Sequence, residues 1–199
     1  PPLGRLLRLA LTRRLDQGAV AAEIDRQVDA FEAAFGRLPD FLDGHHHVHQ
    51  LPGIGEAVLK VWRDRLGGRG WVRSCVEPAA AILARRISPV RALVISRLGV
   101  DFRRRLAAAG VPHNRSFRGV YDFSGRIPFP ELFRRFTDRP GPRCLMMVHP
   151  GVVDEALRAA DGLTDQREVE YHFLASDFCV QDLARRRVTL ARLFPPPAP

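Results

Sequence analysis

The sequence has 199 residues, of which 46% are hydrophobic and 27% are charged, and this balance predicts one globular domain with a buried core. There are 31 Lys and Arg against 22 Asp and Glu, which gives a net charge of +9. Such a charge can mark an anionic partner, but the arginines are dispersed and no nucleic-acid-binding motif accompanies them. We therefore interpret them as solvated helix faces and expect no nucleic-acid partner.

The cysteines and the first residues bear on the cell compartment. Cys75, Cys144 and Cys179 are far apart and form no CxxC pair, which favours a reducing compartment over a disulfide framework. Residues 1–14 interrupt their leucines with four arginines, a pattern that argues against a signal peptide and leaves a membrane-surface helix open. No apolar run approaches the roughly 20 residues of a transmembrane helix. We expect a cytoplasmic protein, and we leave open both its contact with the inner face of the membrane and its oligomeric state.

Helical periodicity recurs along the chain. A helix is predicted from Asp16, a suitable N-cap, to Phe35, and Gly36 ends it. Further helical patterns follow from Pro52 to Gly67, from Pro89 to Ala109, from Phe129 to Phe136, from Val153 to Ala160 and from Gln166 to Arg186, the last with a break near Ser176.

Short apolar runs between these helices predict the strands. They lie at Phe41–Leu42, Trp71–Arg73, Cys144–Val148 and Val188–Leu193, whereas residues 112–124 are predicted to be irregular. Strands that alternate with helices indicate parallel β/α units, and about four strands are too few for a closed eight-stranded barrel. We predict a single α/β domain over residues 1–194 and a disordered proline-rich tail at residues 195–199.

The segment from Asp43 to His49 is the most informative part of the sequence, because it holds four histidines in five positions directly after a predicted strand. In an extended conformation alternate side chains point the same way, which would gather Asp43, His45, His47 and His49 on one side. A carboxylate and several imidazoles in one space are typical of a metal site, and Gly44 would let the backbone approach closely. The alternative is a solvated polar loop that binds metal loosely.

Two further residues follow predicted strands. His149 comes after the strand at Cys144–Val148, and Arg73 ends the strand that begins at Trp71. In parallel β/α folds the carboxyl ends of the strands carry the chemistry, so His149 is a candidate proton donor or acceptor. Arg73 could hold a carboxylate of the site or contact the substrate. The alternatives are a histidine that caps strand carbonyls and a surface arginine.

These motifs resemble those of the YdjC family of carbohydrate deacetylases. The similarity is carried by the histidine tract within residues 39–52, by the Arg-bearing strand and by the His-Pro-Gly motif within residues 147–151. Residues 167–170 resemble the family's Arg-x-x-Glu helix. More narrowly, residues 119–125, 149–154 and 167–171 resemble the branch associated with hopanoid biosynthesis.

The resemblance implies a fold and a set of site residues. The fold would be the C-terminal part of a distorted β/α barrel of the polysaccharide-deacetylase-like type, with one divalent metal ion, magnesium or zinc. His45 matches a metal ligand, and Asp43, His47 and His49 would be supporting or alternative ligands.

His149 matches a histidine that assists proton transfer, and Arg73 is a candidate for substrate binding. The chain lacks the family's N-terminal Asp-Asp motif, the Gly-x-His segment and an initiating methionine. We therefore expect a fragment of a longer protein, and we expect residues 1–199 alone to be catalytically inactive.

The implied reaction is metal-dependent hydrolytic N-deacetylation of an N-acetylglucosaminyl compound. If the narrower resemblance holds, the substrate is a hopanoid glycolipid, and the partner is then a lipid-linked amino sugar. One alternative is a chitooligosaccharide deacetylase. An alternative of another class is a non-catalytic, histidine-rich metal-binding module, which would have no need of His149.

Overall fold

The computed structural model describes residues 2–194, and these form two compact units. The first unit comprises residues 2–76, 94–115 and 192–194, and the second comprises residues 77–93 and 116–191. The tail predicted at residues 195–199 lies outside the described residues. The single domain predicted over residues 1–194 stays a prediction.

The described chain alternates helices with short strands. The helices are α1 (Leu3–Leu11), α2 (Gln17–Phe35), α3 (Ile54–Asp64), α4 (Ala79–Arg85), α5 (Pro89–Ala108), α6 (Phe129–Phe136), α7 (Glu155–Ala160), α8 (Asp165–Leu174) and α9 (Asp177–Arg185). The strands are β1 (Phe41–Leu42), β2 (Trp71–Val72), β3 (Ser116–Arg118) and β4 (Cys144–Met146), and a 3-10 helix spans His45–Gln50. No helix in this part of the chain is both long and apolar enough to cross a membrane.

In the first unit a parallel pair of strands, β1 and β2, lies beside a helical core. The register joins Phe41 to Trp71 and Leu42 to Val72. The core cluster is apolar and is contributed mainly by α3 and α5, and its buried residues are Ala10, Val28, Leu51, Ile54, Val58, Val61, Trp62, Leu66, Val72, Phe102, Leu106 and Val111. This packing fixes the ends of β1 and β2, after which the polar residues of interest begin.

The edge of β2 is completed by a segment that is not itself a strand. The Val72 N–H donates to the Pro112 carbonyl at 2.9 Å. One residue beyond Arg73, the Ser74 N–H donates to Asn114 Oδ1 at 2.7 Å and the Ser74 carbonyl accepts from Asn114 Nδ2 at 2.8 Å. Asn114 is fully buried, so its amide satisfies main-chain groups that would otherwise be left without partners.

In the second unit β3 and β4 form another parallel pair, with Phe117 opposite Leu145. Gly119 follows β3 with φ 103°, and a Cβ atom there would lie 2.1 Å from the Met147 carbonyl oxygen, so only glycine fits. The core is largely aromatic and is built from Ile87, Tyr121, Phe129, Leu132, Phe133, Phe136, Phe173, Cys179 and Leu183. It supports the segments that follow β3 and β4.

Several predictions about the elements are confirmed. Asp16 accepts a hydrogen bond from the Ala19 N–H at 3.0 Å and caps α2, and Gly36 ends that helix with φ 66°. The helix predicted over residues 129–136 has those bounds. The break near Ser176 separates α8 from α9, and the Ser176 side chain caps α9. The two strand pairs are parallel, as the β/α pattern predicts.

Other predictions about the elements are wrong. Val188–Leu193 is not a strand, because the Val188 N–H closes α9 by donating to the Leu183 carbonyl at 3.0 Å. The segment predicted to be irregular contains β3, and α4 was not predicted. The strand after Pro142 is shorter than predicted, and its residues are only partly buried. The fold is mixed α/β, and the described strands form two small sheets. Closure into a distorted barrel stays a prediction.

Candidate functional site

The histidine tract is tightly coiled. His46 (φ 51°, ψ 23°) and His47 (φ 62°, ψ 18°) have left-handed backbone conformations inside the 3-10 helix, so the predicted extended alternation of Asp43, His45, His47 and His49 is wrong. The physical reason is the return of the chain onto Gly44, where a Cβ atom would lie 2.7 Å from the Cβ of His49. The close approach predicted at Gly44 is therefore present.

Arg73 is the centre of the cluster after β1 and β2. Its guanidinium is buried, pairs with Asp43 Oδ1 and donates from Nη2 to the Gly44 carbonyl at 2.9 Å. Nη1 lies 3.1 Å from Nδ1 of His47. The planar fork of an arginine holds several acceptors at once, so one side chain fixes the start of the tract. The ion pair is one of the two roles suggested for Arg73, and its contact with substrate stays a prediction.

His49 is buried beneath this loop. Its Nε2 lies 3.0 Å from the Arg73 carbonyl oxygen, and its Nδ1 lies 3.8 Å from Asp43 Oδ1. Because a carbonyl only accepts, Nε2 carries the proton. Burial, and then the positive charge of Arg73, lower the pKa of His49 to about 3. His49 is thus a neutral part of the loop at physiological pH.

Cys75 also belongs to this cluster, although it was not predicted as a site residue from the sequence. Its Sγ lies 3.6 Å from His47 Nδ1 and 3.9 Å from His49 Nε2. Burial raises the pKa of the Cys75 thiol to about 12, so the thiol stays protonated at physiological pH. A lone cysteine after a strand gives no sequence signal for this position.

His45, the predicted metal ligand, is exposed and packs on His46 with ring centroids 4.0 Å apart. Within residues 2–194, no group of three or more His, Cys, Asp and Glu is arranged to hold a metal ion. The described residues therefore do not form a complete metal site, and the assignments of His45, Asp43, His47 and His49 as ligands stay predictions.

In the second unit His149 follows β4 and is held by α8. The main-chain N–H of His149 donates to Glu170 Oε2 at 2.5 Å. The ring atom Nδ1 of His149 lies 3.8 Å from Glu170 Oε1. The His149 side chain is 23% exposed, but Nδ1 itself is buried and makes no hydrogen bond. The Phe123 ring lies almost perpendicular to the imidazole, with an interplanar angle of 87° and centroids 5.0 Å apart. Phe123 has φ 58°, a left-handed conformation that is unusual for a bulky residue.

Glu170 is the second residue missed as a site residue. It is fully buried and accepts a hydrogen bond from the Tyr121 hydroxyl. Burial, and then Glu170, raise the pKa of Tyr121, which keeps this phenol a donor. The sequence signal was the Arg-x-x-Glu motif at residues 167–170, of which Glu170 is the last residue. The predicted placement of His149 on the same rim as His45 stays a prediction, since the two residues belong to different units.

Comparisons with known proteins first define a class. A solved structure from Enterococcus faecalis V583, described as a cellobiose-phosphate cleavage protein, matches with a TM-score of 0.64 and 19% identity. The match covers 92% of this chain and 62% of that chain, and at this identity it shows a shared fold alone. The match therefore places the chain in a class of mixed α/β folds.

The family follows from the sequence comparison. The family model described as YdjC-like protein matches residues 2–185, so the chain belongs to the YdjC-like family. A stretch of 51 residues is 43% identical to chitooligosaccharide deacetylases of Yersinia pestis (strain Pestoides F) and Yersinia pseudotuberculosis (serotype O:1b). That stretch covers 26% of this chain and 20% of the length of either relative.

Proposed function

We propose that the protein is a carbohydrate N-deacetylase, which hydrolyses the acetamide of an N-acetylated amino sugar and releases acetate. The observation that carries the proposal is His149, placed after β4 with Nδ1 facing a buried carboxylate. Membership of the YdjC-like family and the partial identity to chitooligosaccharide deacetylases support the same class of reaction.

The chemistry needs a group that moves a proton to the departing amine. When water adds to the amide carbonyl, the C–N bond breaks only as the nitrogen takes up a proton, and histidine is the side chain used most often for such a transfer. His149 has a partly exposed ring and a main chain fixed by Glu170. We assign it this proton transfer.

The first unit contributes a polar loop that is held by the hydrogen bonds of Arg73. The guanidinium of Arg73 is occupied by Asp43, Gly44 and His47. Its contribution to substrate binding would therefore act through the loop that it holds. This loop presents the exposed His45 to solvent.

A divalent metal ion, magnesium or zinc, is proposed on the resemblance of the tract to the family motif, with His45 as one ligand. Bound there, the ion would polarise the acetamide carbonyl. The described residues do not make a complete ligand set, so no step of the reaction is assigned to the ion.

The substrate has two candidates. The branch motifs favour an N-acetylglucosaminyl hopanoid lipid, in which case the enzyme would act at the inner, cytoplasmic face of the membrane. The 43% identity over 51 residues to chitooligosaccharide deacetylases favours a soluble N-acetylglucosamine oligomer. Both substrates carry the same acetamide, so the residues that bind the remainder of the molecule decide between them.

The test is acetate release from both substrates by the full-length protein and by its His149→Ala variant. We expect kcat to fall about 10²–10⁴-fold in the variant, which is the usual contribution of acid–base catalysis. His172→Ala changes an exposed histidine on α8 and should leave kcat within about twofold. Equal turnover by the His149 variant and the wild type would contradict the proposal.

A second measurement separates the metal-binding alternative. Bound magnesium and zinc are determined by elemental analysis in the wild type and in His45→Ala. The non-catalytic metal-binding module would be indicated by two results together: the wild type releases no acetate from either substrate, and His45→Ala loses the bound metal. Unchanged metal content would remove His45 from the ligand set.

A further inference from the structure

Glu170 is a buried acid that fixes the His149 main chain but to which the proposed chemistry assigns no proton transfer. It is fully excluded from water, and a carboxylate in such a place is costly unless hydrogen bonds hold it. Its two oxygens have different tasks. Oε2 accepts from the main-chain N–H of His149 at 2.5 Å. Oε1 accepts from the Tyr121 hydroxyl and lies 3.8 Å from His149 Nδ1.

We propose that Glu170, supported by Tyr121, is a positioning residue that fixes both the main chain and the ring tautomer of His149. The catalytic consequence rests on the proposed function, whereas the effect on the imidazole does not. A negative oxygen beside Nδ1 favours a proton on that nitrogen. The neutral tautomer of His149 is then the one that carries Nδ1–H.

This arrangement determines which ring nitrogen reacts. Nδ1 of His149 is inaccessible to solvent, so the 23% exposure of the side chain belongs to its other atoms. Nδ1 keeps its proton in both the neutral and the charged ring, and Nε2 is the atom that gives or takes a proton. Glu170 thereby acts on the reaction through His149 and touches no substrate.

Tyr121 fixes the orientation of the carboxylate. Its hydroxyl donates to the oxygen that faces Nδ1, and its ring packs on Phe123 with centroids 4.2 Å apart. Phe123 in turn meets the imidazole of His149. The ring of His149 is thus bounded on one side by a carboxylate of set orientation and on another by the Phe123 ring.

The variants Glu170→Gln and Tyr121→Phe test the proposal, with Glu168→Gln as the matched control. Glutamine at position 170 keeps an acceptor for the main-chain N–H of His149. It can present an NH₂ group to the ring atom Nδ1, which would move the ring proton to Nε2. Glu168 is on the same helix and accepts from the Val153 N–H at 3.2 Å. Glu168→Gln removes one carboxylate from α8, as Glu170→Gln does, but it leaves the contacts of Glu170 in place.

The first readout is the pair of ¹⁵N shifts of the His149 ring, which report directly which nitrogen is protonated. We expect the proton on Nδ1 in the wild type and in Glu168→Gln, and on Nε2 in Glu170→Gln. The second readout is acetate release. We expect kcat to fall about 10–100-fold in Glu170→Gln with KM within about twofold, and a smaller fall in Tyr121→Phe.

An Nδ1–H tautomer that is unchanged in Glu170→Gln would overturn the proposal. If Glu170→Gln does not fold, as judged by near-UV circular dichroism, Tyr121→Phe decides. A His149 ring spectrum that changes in that variant supports the proposal, and an unchanged spectrum contradicts it. A wild type that releases no acetate, yet shows the tautomer exchange, would remove the proposed function and leave the positioning role in place.

Discussion

Two clusters after parallel strands hold histidines against a buried ionisable side chain, and the two anchors have opposite charge. After β1 and β2 the anchor is the guanidinium of Arg73, and after β4 it is the carboxylate of Glu170. A buried positive charge opposes protonation of a neighbouring imidazole, and the pKa of His49 is lowered to about 3. The carboxyl group of Glu170 is also buried, and its Oε1 instead faces Nδ1 of His149 at 3.8 Å. The first cluster therefore suits a rigid loop, and the second suits proton transfer.

The largest expected effect concerns Cys75 and tests how closed the first cluster is. Burial raises the pKa of its thiol from 9.0 to about 12, which lowers the thiolate fraction near pH 8 by about 10³-fold. We expect iodoacetamide to label Cys75 about 10³-fold more slowly in the folded protein than in urea, as measured by mass spectrometry at each cysteine. The partly exposed Cys144 is the internal control. Labelling of Cys75 within tenfold of its rate in urea would show an open cluster.

Replacement of Arg73 tests its role as the anchor. In Arg73→Met the Asp43 carboxylate, the Gly44 carbonyl and the His47 ring each lose a donor, and we expect the free energy of unfolding to fall by about 3 kcal/mol. Urea denaturation measures this change. Arg63→Met, on the exposed face of α3 with its side chain 71% exposed, should change stability by less than about 0.5 kcal/mol. Equal effects of the two variants would contradict the assignment.

The pH dependence of stability should identify His49. Its folded pKa, about 3, lies below its ordinary 6.5, so the unfolded chain binds more protons between these values. The contribution of His49 to the free energy of unfolding is complete above pH 6.5. It is lost as the pH falls below 6.5, by about 1.4 kcal/mol per pH unit. Between pH 7.5 and 5.0 we expect a loss of roughly 2 kcal/mol from this group.

The measurement compares urea denaturation of the wild type and of His49→Gln at the two pH values, with a chelator present. Glutamine does not titrate in this range, so the wild type should lose more stability than the variant. His172→Gln, an exposed change, should retain the wild-type slope. A His49→Gln slope equal to that of the wild type would mean that His49 is not the group responsible.

The smallest expected effect concerns Phe123, which bounds the ring of His149. Both Phe123→Ala and Phe123→Gly remove the aromatic contact, but only glycine adopts φ 58° without strain. We expect the glycine variant to be more stable than the alanine variant by about 1 kcal/mol. Thermal and urea denaturation of the pair measure this difference. A more stable alanine variant would show that the left-handed conformation relaxes once the ring is gone.

Local patterns predicted much of the fold. The capping pair of Asp16 and Gly36 and the apolar spacing of α6 are signals contained within one helix, and they located those helices well. The strand predicted at Val188–Leu193 failed because an apolar run needs a partner strand, which the run itself does not specify. The strand β3 was missed because its sequence, Ser116–Arg118, has little strand character and is formed by pairing with β4.

The candidate site could be predicted only in part. The histidine motif drew attention to a segment that forms a polar cluster with Arg73, and the Arg73 side chain pairs with a carboxylate, which is one of the two roles suggested for it. The left-handed conformations of His46 and His47 were not predictable, because they depend on the return of the chain over Gly44. Glu170 was overlooked as an anchor because its significance comes from a contact with His149, 21 residues away in the sequence.

The side-chain amide at Asn114 makes one loop position behave as part of a sheet. It offers the donor and the acceptor of a peptide group to Ser74, the residue directly after Arg73. An aspartate at position 114 would supply two acceptors and leave the Ser74 carbonyl without its donor, and a glutamine would displace the pair by one methylene. In a saturation mutagenesis experiment, position 114 should therefore tolerate as few substitutions as an apolar core residue, although it lies between secondary-structure elements.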